Sequence, residues 1–270
     1  QSDFGILDTG LSYVQKKKFE KFTKKILRPN WDFKINFKTE NWKKLLTVRP
    51  HLKKYFPGYD IYIWIDADMI PLSNNFLSSI IEVFKYSDKE ICIVNEFDNS
   101  YITEKKNTSY KKIFNNIYKV GGWVFKNNHK YLGPNIADKL LGKPLMNAGF
   151  FAIKNKSNIW DEWKDIYGKI IEKHQEEYCL SMDQSSLNLV LYNCLDKVNF
   201  FDAKFNWLNK NSLPIIKNNK LCKPLYPYEK IEILHNTSFD INRLMFFQEF
   251  EKQDIINISL KKILKNLYKF

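Results

Sequence analysis

The spacing of apolar and polar positions divides the chain into short apolar runs and longer stretches with helical periodicity. Phe4-Gly5-Ile6-Leu7 is a short apolar run closed by the turn signal Asp8-Thr9-Gly10. Ser12 and Gln15 have capping-box spacing, which predicts a basic helix from there through about Leu27. Residues 31–37 alternate apolar and polar and predict a strand, and a helix is expected over 42–52. Residues 59–65 carry β-branched and aromatic side chains on both faces and predict a strand at the centre of a sheet. It stops at Asp66-Ala67-Asp68, and Pro71 forbids continuation as a central strand. A helix over 75–84 and a buried strand over 91–94 follow.

Residues 97–145 are the least regular, rich in Asn, Lys, Gly and Pro, and are expected to form a lid or partner-binding region. Within them Gly121-Gly122-Trp123 is either a mobile acceptor platform or a plain loop. Residues 146–153 predict a turn feeding a strand. Trp160, Trp163, Tyr167 and Ile170 form one helical stripe, a second helix covers 183–192, and strands are expected at 198–201 and 231–234. The remainder, 242–270, has a helical pattern. Strands alternating with helices give an α/β class: one domain, residues 1–241, with a mostly parallel sheet flanked by helices, and a helical tail over 242–270.

The chemistry concentrates where the 59–65 run ends. In extended chain, residues two apart point to the same side, so Asp66 and Asp68 are expected to face one point beyond the strand. Adjacent anions repel unless a cation lies between them, and a hard divalent ion with oxygen ligands satisfies both. Such an ion would also neutralise a diphosphate. The bland alternative is a solvated turn whose acids cap the next helix; the fully apolar approach to the pair weighs against it.

Composition adds bounds. At 270 residues and 44% apolar, the chain carries enough material for one substantial core. Its net charge of +13 attracts polyanions, whether nucleotide phosphates, nucleic acid or an anionic membrane, although the lysines are scattered along solvated faces. No nucleic-acid motif accompanies the charge, and no nucleic-acid partner is expected. None of the four cysteines has the spacing of a structural zinc site, and a reducing compartment is the simpler expectation. With no signal-peptide pattern and no apolar run long enough to span a bilayer, the expected location is cytoplasmic, or peripheral to a membrane. In the tail, Leu260, Ile263, Leu264, Leu267 and Phe270 share one side and Lys261, Lys262, Lys265 and Lys269 the remainder. That face is expected to pack on the domain or to dock on anionic lipid.

Ile63-Trp64-Ile65-Asp66-Ala67-Asp68 resembles the DxD element of GT-A glycosyltransferases, especially family 8 and its relatives. Three further segments are similar to that family in the same order: residues 4–12 to its second strand and turn, Met146-Asn147-Ala148-Gly149 to its Asn-Ala-Gly element, and Asp183-Gln184 with Leu187-Asn188 to its Asp-Gln helix. His235 falls where the family places a metal-binding histidine. The resemblance spans residues 4 to about 238. It implies a GT-A fold, Mn2+ or Mg2+ held by Asp66, Asp68 and His235, and a donor nucleoside diphosphate sugar met by Asp66, Asn147, Ala148 and Gly149. By default the donor is UDP with a hexose.

By the same resemblance, Asp183 would accept hydrogen bonds from the sugar and Gln184 would lie near the anomeric carbon. Transfer to a hydroxyl on a glycan, lipid-linked or protein acceptor would then retain configuration. Two departures are plain. The family's first strand and helix would precede Phe4 and are missing here. The Lys-Pro-Trp that follows the histidine is replaced by Asn236-Thr237-Ser238, leaving Arg49 or Arg243 to supply charge to the diphosphate. Two alternatives remain: a haloacid-dehalogenase-like phosphatase with Asp66 as nucleophile and Asp68 as acid, and a catalytically degenerate GT-A binding protein.

Overall fold

The structure is a computed structural model. It describes residues 3–36, 39–103, 122–175 and 181–236, and the backbone alone of 244–249 and 255–259. The chain is a mixed α/β protein whose residues divide into two compact units. The first comprises 1–62, 115–143 and 153–197; the second comprises 63–114, 144–152 and 198–270. The chain alternates between units, so neither is a continuous stretch.

In the first unit, β1 (Gly5–Leu7) pairs in parallel with β2 (Lys25–Leu27). Helix α1 (Tyr13–Phe19) opens with the Ser12–Gln15 capping box, both reciprocal hydrogen bonds being present. It ends at Phe19 rather than near Leu27, because residues 25–27 join the β1 ladder. Residues 31–36 form no strand. The helix expected over 42–52 is broken into short pieces, α2 (Lys44–Val48) and α3 (Leu52–Tyr55), flanked by 3-10 turns. Pro50, which has no N–H to donate, sits in the turn between them. The expected irregular region contains two helices, α5 (Trp123–Leu132) and α6 (Pro134–Leu140), counted after α4 (Asn75–Tyr86) of the second unit. Of the 121–123 segment, Gly122 caps α5 and Trp123 is exposed; residues 104–121 lie outside the described residues.

The core of the first unit follows from the helical stripe read in the sequence. Helix α7 (Ile159–Lys173) buries Trp160, Trp163, Tyr167 and Ile170 and packs on α8 (Met182–Asn193), which buries Leu187, Val190 and Leu191. Each fully buried side chain of this size contributes roughly 1.5–3 kcal/mol. The Trp163 indole N–H donates to the carbonyl of Asp183 at 3.0 Å and to Ser186 Oγ at 3.1 Å, so the ring locks one helix to the other without a lost hydrogen bond.

The principal sheet has the order β3-β6-β5-β7, formed by β3 (Ile61–Ile65), β6 (Met146–Lys154), β5 (Ile91–Asn95) and β7 (Val198–Phe201). Strands β5 and β7 are parallel. Strand β3, expected at the sheet's centre, is an edge among the described residues, and only alternate side chains in it are buried. The interior position belongs to β6, where every residue but the last is buried. Residues 146–149, expected to be a turn, are part of that strand.

Beside it in the second unit lies a three-stranded sheet, β4-β11-β8, with β4 (Met69–Pro71), β11 (Ile233–His235) and β8 (Trp207–Leu208). Pro71 ends an edge strand, where its missing N–H costs no ladder bond. Tyr101, Trp207, Leu221, Ile231 and Leu234 belong to the core against which this sheet packs. A third sheet has the order β10-β9-β12-β13, with β9 (Ile215–Lys217), β10 (Lys220–Cys222), and β12 (Leu244–Glu249) paired antiparallel with β13 (Ile255–Ser259). The helical tail expected over 242–270 is therefore corrected for these residues. Aromatic Phe246 and Phe247 and β-branched Ile255, Ile256 and Ile258 suit a pleated strand. Residues 260–270, which hold most of the expected amphipathic face, lie outside the described residues.

Candidate metal centre

Three side chains of the second unit converge. Asp66, Asp68 and His235 each offer a ligand atom, and these atoms lie within 4.8 Å of one another. The two carboxylates meet by a different route from the one expected. Past Ile65 the chain is not extended: the Met69 N–H donates to the Asp66 carbonyl at 3.0 Å and closes a turn over Ala67 and Asp68. The turn is anchored on both sides. The Asp66 N–H donates to the Gly149 carbonyl at 2.9 Å, and the Asn236 N–H donates to the Asp68 carbonyl at 3.0 Å. Antiparallel pairing of β4 with β11 sets His235 opposite Met69, one residue from Asp68. His235 Nε2 consequently stands 3.4 Å from Asp68 Oδ1.

The protonation pattern of the imidazole follows from a backbone donor. The Gly149 N–H donates to Asn147 Oδ1 at 2.8 Å, which fixes that amide, and its Nδ2 donates to Glu96 Oε1 at 2.8 Å. Asn147 Oδ1 can accept again, and Asn206 Nδ2 donates to it at 3.0 Å. Asn206 Oδ1 must then face His235 Nδ1, 2.8 Å away, so Nδ1 donates to it and Nε2 is the ring nitrogen turned toward the carboxylates. A relay of two amides thus aims Nε2 of the imidazole at two carboxylates. On the other flank the Trp64 indole N–H donates to Asp66 Oδ1 at 2.6 Å, orienting that carboxylate.

This donor set fits a divalent cation. It contains two carboxylates and one imidazole nitrogen. Carboxylate oxygens suit Mg2+ and Mn2+, and one nitrogen ligand favours the softer of the two. Gly149 is required by the same geometry. A Cβ there would lie 2.8 Å from Asn147 Oδ1, 2.9 Å from His235 Cε1 and 3.0 Å from Asp66 Oδ2. The absent side chain makes room for the site's own ligands.

Other expected site residues divide sharply. Asn147 is buried and committed to the relay. Ala148 is fully buried on the opposite face of β6 from Asn147 and Gly149. Arg49, Asp183 and Gln184 belong to the first unit. Arg49 forms a buried ion pair and hydrogen bond with Asp183, whose side chain is fully buried in the first turn of α8. The arginine expected to meet a diphosphate therefore has a carboxylate partner. Gln184 is half-buried, and its carbonyl accepts from Asn188 Nδ2 at 2.7 Å. Arg243 lies outside the described residues.

Sequence reasoning missed Asn206, Glu96 and Trp64. The one signal for Asn206 is a lone amide between Phe205 and Trp207 in an otherwise apolar run. A buried lysine frames the same region. Lys223 Nζ meets Asp98 Oδ2 at 2.9 Å, Asp202 Oδ1 at 2.6 Å and Glu229 Oε2 at 3.1 Å. Burial alone would push the Lys223 ammonium down, but these carboxylates outweigh it and hold its pKa well above the ordinary value. The lysine ties the turn just past Glu96 to the turn just before Asn206.

No protein-family model matches the chain, and no curated protein matches it by sequence. Among solved structures the chain is similar to three glycosyltransferases. Mouse xyloside xylosyltransferase 1 in its apo form aligns with a TM-score of 0.42 and 12% identity, over 76% of this chain and 67% of that one. An active-site mutant of LgtC aligns at 0.44 and 14%, over 87% and 76%. The bifunctional glycosyltransferase WbbM, apo, aligns at 0.47 and 14%, over 87% of this chain and 40% of that one.

Proposed function

We propose that this chain transfers a sugar from a nucleoside diphosphate donor to a hydroxyl acceptor, with Mn2+ or Mg2+ held by Asp66, Asp68 and His235. The observation that carries the reading is the convergence of two carboxylates and an imidazole nitrogen directly past a strand end. The ordered resemblance of four segments to GT-A family 8 supports the donor class, with UDP and a hexose as the default. The bound cation would supply charge to a departing diphosphate. The chain's own residues do the rest. Trp64 and the Asn147–Asn206 relay hold the ligands in place, so little reorganisation is needed when the donor arrives. Retention of configuration and an acceptor on a glycan, lipid or protein belong to the same reading, through Asp183 and Gln184.

The test is titration of Mn2+ and then of candidate nucleoside diphosphates by calorimetry, followed by donor turnover. The reading expects one diphosphate to bind only with metal, and Asp68→Asn to abolish both steps. Equal diphosphate binding in excess chelator overturns it. Metal and diphosphate binding without turnover of any sugar donor would mark a degenerate binding protein. Release of phosphate from phosphomonoesters, lost in Asp66→Asn, would mark the dehalogenase-type alternative.

A further inference from the structure

Helix α1 buries none of its residues, yet it is not a polar helix. Tyr13 is 75% exposed and Val14 62%, and Phe22, just past the helix, is 77% exposed. At 100° per residue, Tyr13, Val14, Lys17 and Lys18 fall on one side, while Lys16 and Phe19, both half-buried, fall on the other. The outward side therefore mixes apolar bodies with ammonium groups. The charge is one-sided: residues 13–25 contain Lys16, Lys17, Lys18, Lys21, Lys24 and Lys25 against a single acid, Glu20. Glu20 pairs with Lys17 at 2.8 Å, whereas Lys18 and Lys21 have no acidic partner among the described residues. Thr23 Oγ1 hydrogen-bonds the carbonyl of Phe4, which places a further exposed aromatic (59%) beside the end of this segment.

We propose that this face, residues 13–25 with Phe4, is a docking surface for an anionic phospholipid bilayer. Charge complementarity selects the occupant. Lysines near an anionic leaflet are each worth about fivefold in binding, and aromatic and aliphatic side chains beside them enter the boundary between headgroups and acyl chains. An aliphatic Val14 gains there and would gain nothing against phosphates alone, which favours lipid over nucleic acid. The chain would lie on the surface, since no helix among the described residues is long and apolar enough to cross a membrane. This surface is distinct from the tail, whose apolar face is expected to pack on the domain or to dock on anionic lipid.

The experiment is co-sedimentation of the full chain with vesicles of phosphatidylcholine alone and of phosphatidylcholine mixed equally with phosphatidylglycerol. Binding is expected only to the mixed vesicles and is expected to fall as salt rises. The triple variant K17Q/K18Q/K21Q should lose roughly a hundredfold in affinity. V14S/F22S, with the charge intact, should bind more weakly while keeping its salt dependence. All five side chains are exposed, and circular dichroism checks that both variants fold. Equal binding to neutral vesicles, or unchanged binding of either variant, overturns the proposal. So does loss of binding in K261Q/K262Q/K265Q/K269Q with the Lys17 triple variant unaffected, or tighter binding to a duplex oligonucleotide that V14S/F22S leaves untouched. Vesicle binding is read without turnover, so it stands or falls apart from the sugar-transfer reading.

Discussion

At the scale of single residues, the candidate metal centre depends on atoms too close to tolerate addition. Gly149→Ala places a methyl within 3.0 Å of Asn147, His235 and Asp66. The expected cost is about 1–3 kcal/mol of stability from overpacking, with loss of Mn2+ binding in the same variant, read by chemical denaturation and calorimetry. Asn206→Leu keeps the volume but removes the acceptor that holds the Nδ1 proton of His235. Manganese affinity should fall about 10–100-fold, as for other residues that orient a ligand histidine. Unchanged affinity would show that Asn206 does not set the tautomer. In the first unit, Arg49→Ala strands the fully buried Asp183 carboxylate and should cost about 3–5 kcal/mol in urea midpoint measurements. The convergence of Asp66, Asp68 and His235 is legible in the sequence through two different signals: the acids end an apolar run, and the histidine is expected from the family resemblance. Asn206 and Glu96 are not, because a hydrogen-bond relay between distant segments leaves no periodic trace.

At the scale of elements, the site is positioned by pairing of β4 with β11 and by the turns that Lys223 ties together. Burial would raise the Asp98 carboxyl, but hydrogen bonds from Lys223 and Ser100 bring it below its ordinary value of 3.8; Glu229 is likewise lowered from 4.5, burial again being outweighed by Lys204 and Lys223. Carboxyls lowered in the native state stabilise it fully above the unfolded values. That contribution is lost as pH falls through the lowered native ones. The urea midpoint should therefore decline below about pH 4.5, and Lys223→Met, expected to cost about 3 kcal/mol at neutral pH, should flatten that decline.

Long helices and apolar strands were readable because periodicity reports burial directly: α7, α8, β5 and β7 fall within a few residues of their expected places. Failures came where tertiary context decides. The α1 pattern runs on into residues that instead join a parallel ladder, β3 has the composition of a central strand but an edge position, and residues 255–259 pair in a sheet rather than coil.

For the whole molecule, ligand binding and stability are linked. A cation or metal-dependent diphosphate held at about a hundredfold above its dissociation constant adds about 2.7 kcal/mol to the native state, and a chain of this size should melt roughly 5–10 °C higher. Thermal melts with Mn2+, with the diphosphate and with both should show that shift in the wild type and none in Asp68→Asn. The second unit is assembled from three separate stretches of sequence, and its cluster draws on the first and the last of them. Any contiguous fragment that carries the cluster must run at least from Asp66 to His235. A ribosome that has released everything through Asn206 holds a polypeptide with both acids and both amides but still without its imidazole. During synthesis, competence for the cation arrives abruptly, with the emergence of one late strand.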